Sequence, residues 1–253
     1  MSEVYFMDGE IVEAARSQVY AKQPKFRRAS RGMMLGYAAL DSLFRRQSWL
    51  YKFVNERRLG LVIGTSQGEF ETTKEFLTTL VEKDIARPIL FQNSLHNAIL
   101  GFLSIEFGLK GASMTVSNQM FSGEDAVSTS IDFLRSGWCD ACIAIGLDIK
   151  VEALSPVWKN LDPPTVNRGE GAGAVLLVNQ SGLSDISGQT PLSRLSSVNV
   201  SEDQSPATLI FDQYYDSNGI SVFIEKFRNN PQSQKVIIEK PSGCSSYFQL
   251  EAE

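Results

Sequence analysis

Short apolar runs separated by segments of helical period dominate the first two-thirds of this chain. Residues 4–7, 59–65, 113–117, 141–149 and 173–179 are brief and rich in Val, Ile and Leu, and they read as strands. Met33, Met34, Tyr37, Ala38, Leu40, Leu43 and Phe44 recur mostly at spacings of three and four, which predicts a helix over 29–46. Helices are also predicted over 69–82, 93–107 and 122–136, with Gly108 and Gly137 as stops. Ser122 is placed to cap the last of these, with Asp125 three residues on as a short variant of the capping box.

Strands alternating with helices imply an α/β sheet covered on both faces. After Gln180 the pattern thins. Residues 181–206 are rich in Ser, Gly and Pro, with a strand expected at 194–200, an apolar segment at 209–215, a helix at 220–229 and a strand at 235–240. The expected organisation is therefore a main part over 1–180 and an abbreviated C-terminal portion of the same domain over 181–253. Composition narrows the class. With 43% hydrophobic and 21% charged residues, the 253-residue chain is an ordinary globular protein. Its net charge of −5 argues against a nucleic-acid partner. No apolar run approaches the roughly 20 residues that span a bilayer, and the opening MSEVYFMDGE lacks a basic stretch followed by an apolar core. Three cysteines do not make a disulfide framework. A cytoplasmic protein is expected, with no membrane span.

Candidate chemistry is sparse. Residues 114–125 read as a strand, a sharp turn and a helix start, where α/β enzymes often seat a nucleophile. Here the turn carries Met120. Gly64-Thr65-Ser66-Gln67-Gly68 matches the Gly-x-Ser-x-Gly turn of hydrolases. A serine hydrolase also needs an acid and then a histidine, in that order. His96 is the sole histidine, only thirty residues beyond Ser66, and no His-Gly-Gly motif accompanies it. Cys139-x-x-Cys142 is half a zinc site at best, with Cys244 and His96 the only other soft ligands. Buried thiols are the simpler reading, so neither a metal nor a cofactor is expected.

Several segments between Phe91 and Val178 resemble β-ketoacyl synthases of the thiolase-like superfamily. Ser94-Leu95-His96-Asn97-Ala98 with Gly101 resembles a synthase helix motif, and Phe107-Gly108-Leu109-Lys110-Gly111 resembles its Phe-Gly-Leu-Arg-Gly turn. Thr115-Val116-Ser117 resembles the strand before the nucleophile, and Arg168-Gly169-Glu170-Gly171-Ala172-Gly173-Ala174 resembles the Gly-Glu-Gly-Ala-Gly strand. They fall in family order. The resemblance implies a thiolase-like mixed sheet covered by helices, with a shortened C-terminal half.

In that family a cysteine carries the acyl chain, and two downstream histidines assist decarboxylation and stabilise the developing charge. Aligned on Ser122-Gly123, the cysteine position is Met120, and a thioether forms no thioester. Glu124 and Asp125 favour a helix start but would oppose a thiolate beside them. The likeness extends to the short ketosynthase-like proteins of aryl-polyene-type gene clusters, in which such a subunit acts as a chain-length factor. It implies an active ketosynthase as partner and an acyl carrier protein as client. By resemblance, residues 93–107 and 113–117 lie near the dimer interface, with Asn93, Asn97, Thr115 and Ser117 as contact candidates. Gln67, Phe70, Leu90, Phe91, Met120 and Phe121 are candidates for the wall or gate of an acyl tunnel. Arg27, Arg28 and Arg31 are candidates for contact with the acidic carrier protein. The two alternatives are a hydrolase using Ser66 and a homodimeric scaffold without chemistry.

Overall fold

The computed structural model describes residues 2–162, 166–201, 211–240 and 244–251. In chain order come strand β1 (Val4–Glu13), helices α1 (Ala14–Ala21), α2 (Arg31–Arg46) and α3 (Leu50–Asn55), and strand β2 (Leu59–Gly64). Helices α4 (Phe70–Lys83), α5 (Pro88–Asn93) and α6 (Ala98–Phe107) lead to strand β3 (Ser113–Val116), helix α7 (Ser122–Arg135) and strand β4 (Ala141–Asp148). Then follow helix α8 (Ser155–Leu161), strands β5 (Val166–Arg168) and β6 (Gly171–Asn179), and helix α9 (Gln180–Asp185). The last described elements are strands β7 (Ser193–Ser201) and β8 (Phe211–Tyr214), helix α10 (Gly219–Asn229), and strands β9 (Lys235–Glu239) and β10 (Ser245–Glu251).

Eight strands form one mixed sheet in the order β3-β2-β4-β6-β1-β7-β10-β9. The β3-β2 and β2-β4 pairs are parallel, and every later pair is antiparallel. β5 and β8 form a separate parallel pair. Every residue of β2, β4 and β6 is buried, as expected of strands covered on both faces. Side chains alternate between two cores. Ile143, Ile145 and Leu147 of β4 join one core with α2 and α6, while Cys142 and Ala144 join the other with α7 and α10. This is a mixed α/β fold with a central sheet flanked by helices. β9 and β10 alternate buried with exposed or half-buried residues, and their inward side chains pack under α10.

Local chemistry explains where the elements differ from expectation. α2 starts at Arg31 because Ser30 caps it, accepting the Met33 N–H at 3.1 Å. The single helix expected over 93–107 is two. Pro88 begins α5, Ser94 Oγ donates to the Phe91 carbonyl at 2.7 Å to close it, and α6 begins only at Ala98. β1 runs past Met7 through polar Asp8 and Glu10 because Arg46 pairs with both, at 3.0 and 2.6 Å. Its register slips between Phe6 and Asp8. The apolar segment at 209–215 is seen as β8, and Leu209 lies outside the described residues. β10 was not anticipated. It joins β7 on one side and β9 on the other, so the C-terminal strands extend the main sheet.

The segment before α10 is pressed against the sheet. A Cβ added at Gly123 of α7 would lie 2.6 Å from the Ser217 carbonyl oxygen, and one at Gly146 of β4 would lie 2.5 Å from it. Only glycine fits at these two positions, so that carbonyl is seated where α7 meets the strand ends.

Candidate functional site

Two turns and one strand end meet at the C-terminal end of the parallel strands. The turn after β2 is tied to β3 by the Thr65 N–H, which donates to the Val116 carbonyl at 3.1 Å. The turn between β3 and α7 is a single 3-10 turn over Gln119–Phe121, and Gln119 takes a left-handed φ of 46°. That conformation costs a non-glycine residue on the order of 1–3 kcal/mol. Ser122, expected to cap α7, is instead its first residue. Its hydroxyl donates to the Gln119 carbonyl at 2.7 Å and accepts the Asn118 N–H at 2.9 Å, so it fastens the turn from within. The N-cap is Phe121, with no side-chain cap bond. Met120 sits half-buried in this turn. The frame that would present a nucleophile is intact, and it carries a thioether.

The two acidic residues that follow separate in role. Asp125 accepts from Asn118 Nδ2 at 2.8 Å and holds the turn from outside. Glu124 lies in the first turn of α7, as expected, but points inward. Its side chain is fully buried in an ion pair with Lys240, Nζ to Oε1 2.8 Å.

Asp148, at the end of β4, organises the neighbouring turns. Its Oδ1 accepts from Thr65 Oγ1 at 2.9 Å and from the backbone N–H groups of Ser66 and Gln67 at 2.9 and 2.7 Å. Its Oδ2 accepts the Ser217 N–H at 2.9 Å. Burial pushes its pKa up to about 6, against the opposing pull of these hydrogen bonds. Asp216 extends the network, accepting from Gln67 Nε2 at 3.0 Å, Ser66 Oγ at 3.2 Å and Arg168 Nη1 at 2.8 Å. Arg168 is shared with Asp162 and lies over the Trp158 ring at 4.8 Å. Nearby, burial pushes Glu69 up to about 7, although Ser30 and Thr72 both donate to it.

This network accounts for the Gly-x-Ser-x-Gly turn. The Ser66 hydroxyl donates directly to a carboxylate, and among the described residues no hydrogen bond joins it to His96. His96 is exposed and packs on Gly68, where an added Cβ would lie 2.8 Å from its Cδ2. Among the described residues Ser66 therefore has a carboxylate, and no histidine, as its side-chain acceptor. Cys139 and Cys142 are free, buried and packed together beside Gly60. Hydrogen bonding to Cys142 and then burial push the Cys139 thiol up. Among the described residues no three His, Cys, Asp or Glu side chains are grouped to hold a metal.

The remaining candidates fall into separate places. Gln67 belongs to the Asp216 network. Phe70 and Phe91 stand on the outer surface, 40% and 55% exposed, and the Phe91 ring lies 5.5 Å from Phe76. Leu90 is half-buried beside Phe91 on α5, and Phe121 half-buried beside Met120. Asn93 donates to the Arg28 carbonyl at 3.2 Å, and Asn97 and Ser117 are exposed. Thr115 is half-buried on β3, its hydroxyl without a hydrogen-bond partner among the described residues. Arg27 and Arg28 are exposed, whereas Arg31 is engaged by Glu71 at 2.8 Å, Glu170 at 2.7 Å and the Lys150 carbonyl at 2.9 Å. Sequence reasoning missed Asp148 and Lys240. A lone acid closing the apolar strand Ala141–Asp148 was a legible signal, but nothing in the run ending at Lys240 marked it.

Comparison with known proteins gives this geometry a lineage. Residues 5–156 match the family described as Beta-ketoacyl synthase, N-terminal domain. Chloroplastic 3-oxoacyl-[acyl-carrier-protein] synthase I of Arabidopsis thaliana is 25% identical over 146 residues, 49% of this chain and 31% of the relative. Nodulation protein E of Rhizobium leguminosarum bv. trifolii is 24% identical over 165 residues, 59% of this chain and 41% of the relative. The matches span less than half the length of these relatives. Among solved structures, a ketosynthase in complex with its chain length factor from Xenorhabdus doucetiae aligns with TM-score 0.66 at 16% identity, covering 98% of this chain and 99% of that one. A type II PKS acyl-carrier protein in complex with its ketosynthase aligns with TM-score 0.77 at 13% identity, with the same coverage. These alignments share the thiolase-like fold, and the sequence match covers more than half the chain. The strand, turn and helix around Met120 lie within the matched region, and the chain belongs to the β-ketoacyl synthase family.

Proposed function

We propose that this chain is a catalytically silent ketosynthase-like subunit, a chain-length factor that pairs with an active ketosynthase and shapes its acyl tunnel. The observation that carries this reading is Met120 in an otherwise intact nucleophile frame. A thioether cannot be deprotonated or acylated. The sole histidine of the sequence lies on Gly68, away from any relay to a nucleophile.

A partner surface supports the reading. β3 is an edge strand, and among the described residues its outer side pairs with nothing. Beside it, α6 (AILGFLSIEF) is apolar around most of its circumference, yet Ile105 is 81% exposed. A helix apolar on its exposed face fits an interface better than a solvated surface. A groove of about 390 Å³ runs along α6 between Lys25, Arg28, Leu95 and Ile105. Its cationic rim and apolar floor complement an acidic carrier protein, which Arg27 and Arg28 would meet first. Arg31, with its charge committed to Glu71 and Glu170, would act only indirectly.

Phe70 and Phe91 lie where an acyl chain arriving from a partner would meet this subunit. Their role would be steric, because each CH₂ buried is worth roughly 0.8 kcal/mol and a blocked end stops growth. In a complex reconstituted with an active ketosynthase, Phe70→Ala or Phe91→Ala should shift product length without abolishing turnover. Product lengths unchanged in both variants would remove these gates, and condensation by the isolated chain would overturn the silent-subunit reading.

A further inference from the structure

The most thoroughly buried charges among the described residues lie directly beneath the Met120–Phe121 turn. Glu124 lies in the first turn of α7, and its partner Lys240 faces the Phe121 ring of the turn before it. Neither Glu124 nor Lys240 exposes any of its side chain. Glu124 Oε1 accepts from Lys240 Nζ at 2.8 Å and from Ser246 Oγ at 2.7 Å. Lys240 Nζ lies 3.4 Å from Asn218 Oδ1 and 5.8 Å from the centre of the Phe121 ring. Gly219 is pressed onto the same carboxyl group, since a Cβ built there would fall 2.2 Å from Glu124 Cδ. One carboxylate thus gathers the end of β9, strand β10 and the start of α10 behind the nucleophile seat.

Ordinary core packing would not need charge here. Well-packed apolar side chains fill such a space at least as stably as an ion pair, so a buried pair is weak evidence for stability. This one is also incompletely satisfied, for Glu124 Oε2 has no hydrogen-bond partner among the described residues. What the pair does that leucines would not is refuse an apolar guest. A hydrocarbon chain entering below Phe121 would have to separate two desolvated charges and leave each unpaired.

We propose that Glu124 and Lys240 form a polar plug that closes this subunit beneath Phe121 and sets the floor at which an acyl chain stops. The product-length part of this inference rests on the chain-length reading above, and the closure itself does not. The pair is a specificity determinant, and neither residue touches reacting atoms.

The test uses Glu124→Ala together with Lys240→Ala, which removes the plug and both charges. Folding is checked by circular dichroism and thermal melting. The folded double variant, without any partner, should bind dansyl-undecanoic acid saturably at one equivalent, with at least tenfold higher affinity than the parent chain. In the reconstituted complex it should lengthen the product by at least one two-carbon unit. Should this variant fail to fold, Glu124→Leu with Lys240→Ala carries the same two readouts, because it neutralises the carboxylate and still removes the lysine side chain. A folded variant that neither binds the probe nor lengthens product overturns the plug. Probe uptake without a change in product length keeps the plug and overturns its link to chain length. Longer products on Phe91→Ala but not on the plug variants keep the chain-length reading and overturn the plug's part in setting product length.

Discussion

The two edges of the one sheet are treated in opposite ways. At one end β9 is blunted: Lys235 and Glu239 flank its only exposed apolar residue, Ile237, and Lys226 Nζ donates to the Ile237 carbonyl at 2.6 Å. Lysine on or over an edge is how sheets avoid pairing with other chains. At the other end β3 has no such guard. The carbonyls of Ala112 and Val116 face β2, where they accept from Leu61 and Thr65, so Ser113 and Thr115 turn their backbone groups outward. Met114 is 41% exposed on this strand, which reads SMTV and carries no charge. An unguarded edge beside an exposed apolar helix is a liability in a monomer and an asset in a subunit. On the reading proposed above, the difference would put the partner-facing side at β3, an argument that uses no relative.

The contrast is open to attack, and the largest effect comes from the edge itself. Ser113→Pro removes an outward N–H at the first strand position, where proline disturbs the fold least. It should weaken association with the partner ketosynthase at least 100-fold, about 2.7 kcal/mol. Ile237→Pro removes the equivalent N–H from β9 and should change affinity less than about threefold, on the order of 0.6 kcal/mol. Equal losses in the two variants, measured by calorimetry or sedimentation, would erase the distinction between the edges.

A smaller effect sharpens the same contrast from the interior. Glu69 sits at the start of α4, bridging to the Ser30 cap of α2. Its pKa is pushed up from 4.5 to about 7 by burial. The folded chain therefore binds this proton more tightly than the unfolded chain. The resulting stability is complete below the unfolded value and is lost as pH rises through about 7. Urea unfolding should show stability falling across pH 4.5 to 7 by up to roughly 3 kcal/mol from this residue. Asp148, pushed up to about 6, shares the fall below that pH, so Glu69→Gln should abolish mainly the part of the slope between about pH 6 and 7. A fall between pH 6 and 7 that persists in the variant would assign that titration to another group.

Much of the fold was legible because its central strands are continuous apolar runs. β2, β4 and β6 announce themselves by composition, and α2 by its spacing, whereas its Ser30 cap emerged only in the structure. The illegible parts depend on contacts far along the chain. β1 continues through Asp8 and Glu10 only because Arg46 comes back to neutralise them. β10, SSYFQLE, is no continuous apolar run and takes its place only between β7 and β9. The site shows the same division. Met120 was visible as the wrong residue in a nucleophile's position, since that needs only local sequence and a resemblance. Glu124 was legible only as a helix-start charge, because no local signal reveals that Lys240, more than a hundred residues on, pairs with it. Arg31 likewise looked equivalent to Arg27 and Arg28 until Glu71 and Glu170 were brought to it.

The central claim is that Met120 makes this half of the assembly chemically silent while the open β3 edge recruits an active half. Intact-mass spectrometry of the mixed complex, after incubation with an acyl-carrier-protein thioester, tests it most directly. The acyl group should appear on the partner ketosynthase alone, with this chain unmodified both in the complex and in isolation. An acyl adduct on this chain would contradict the account.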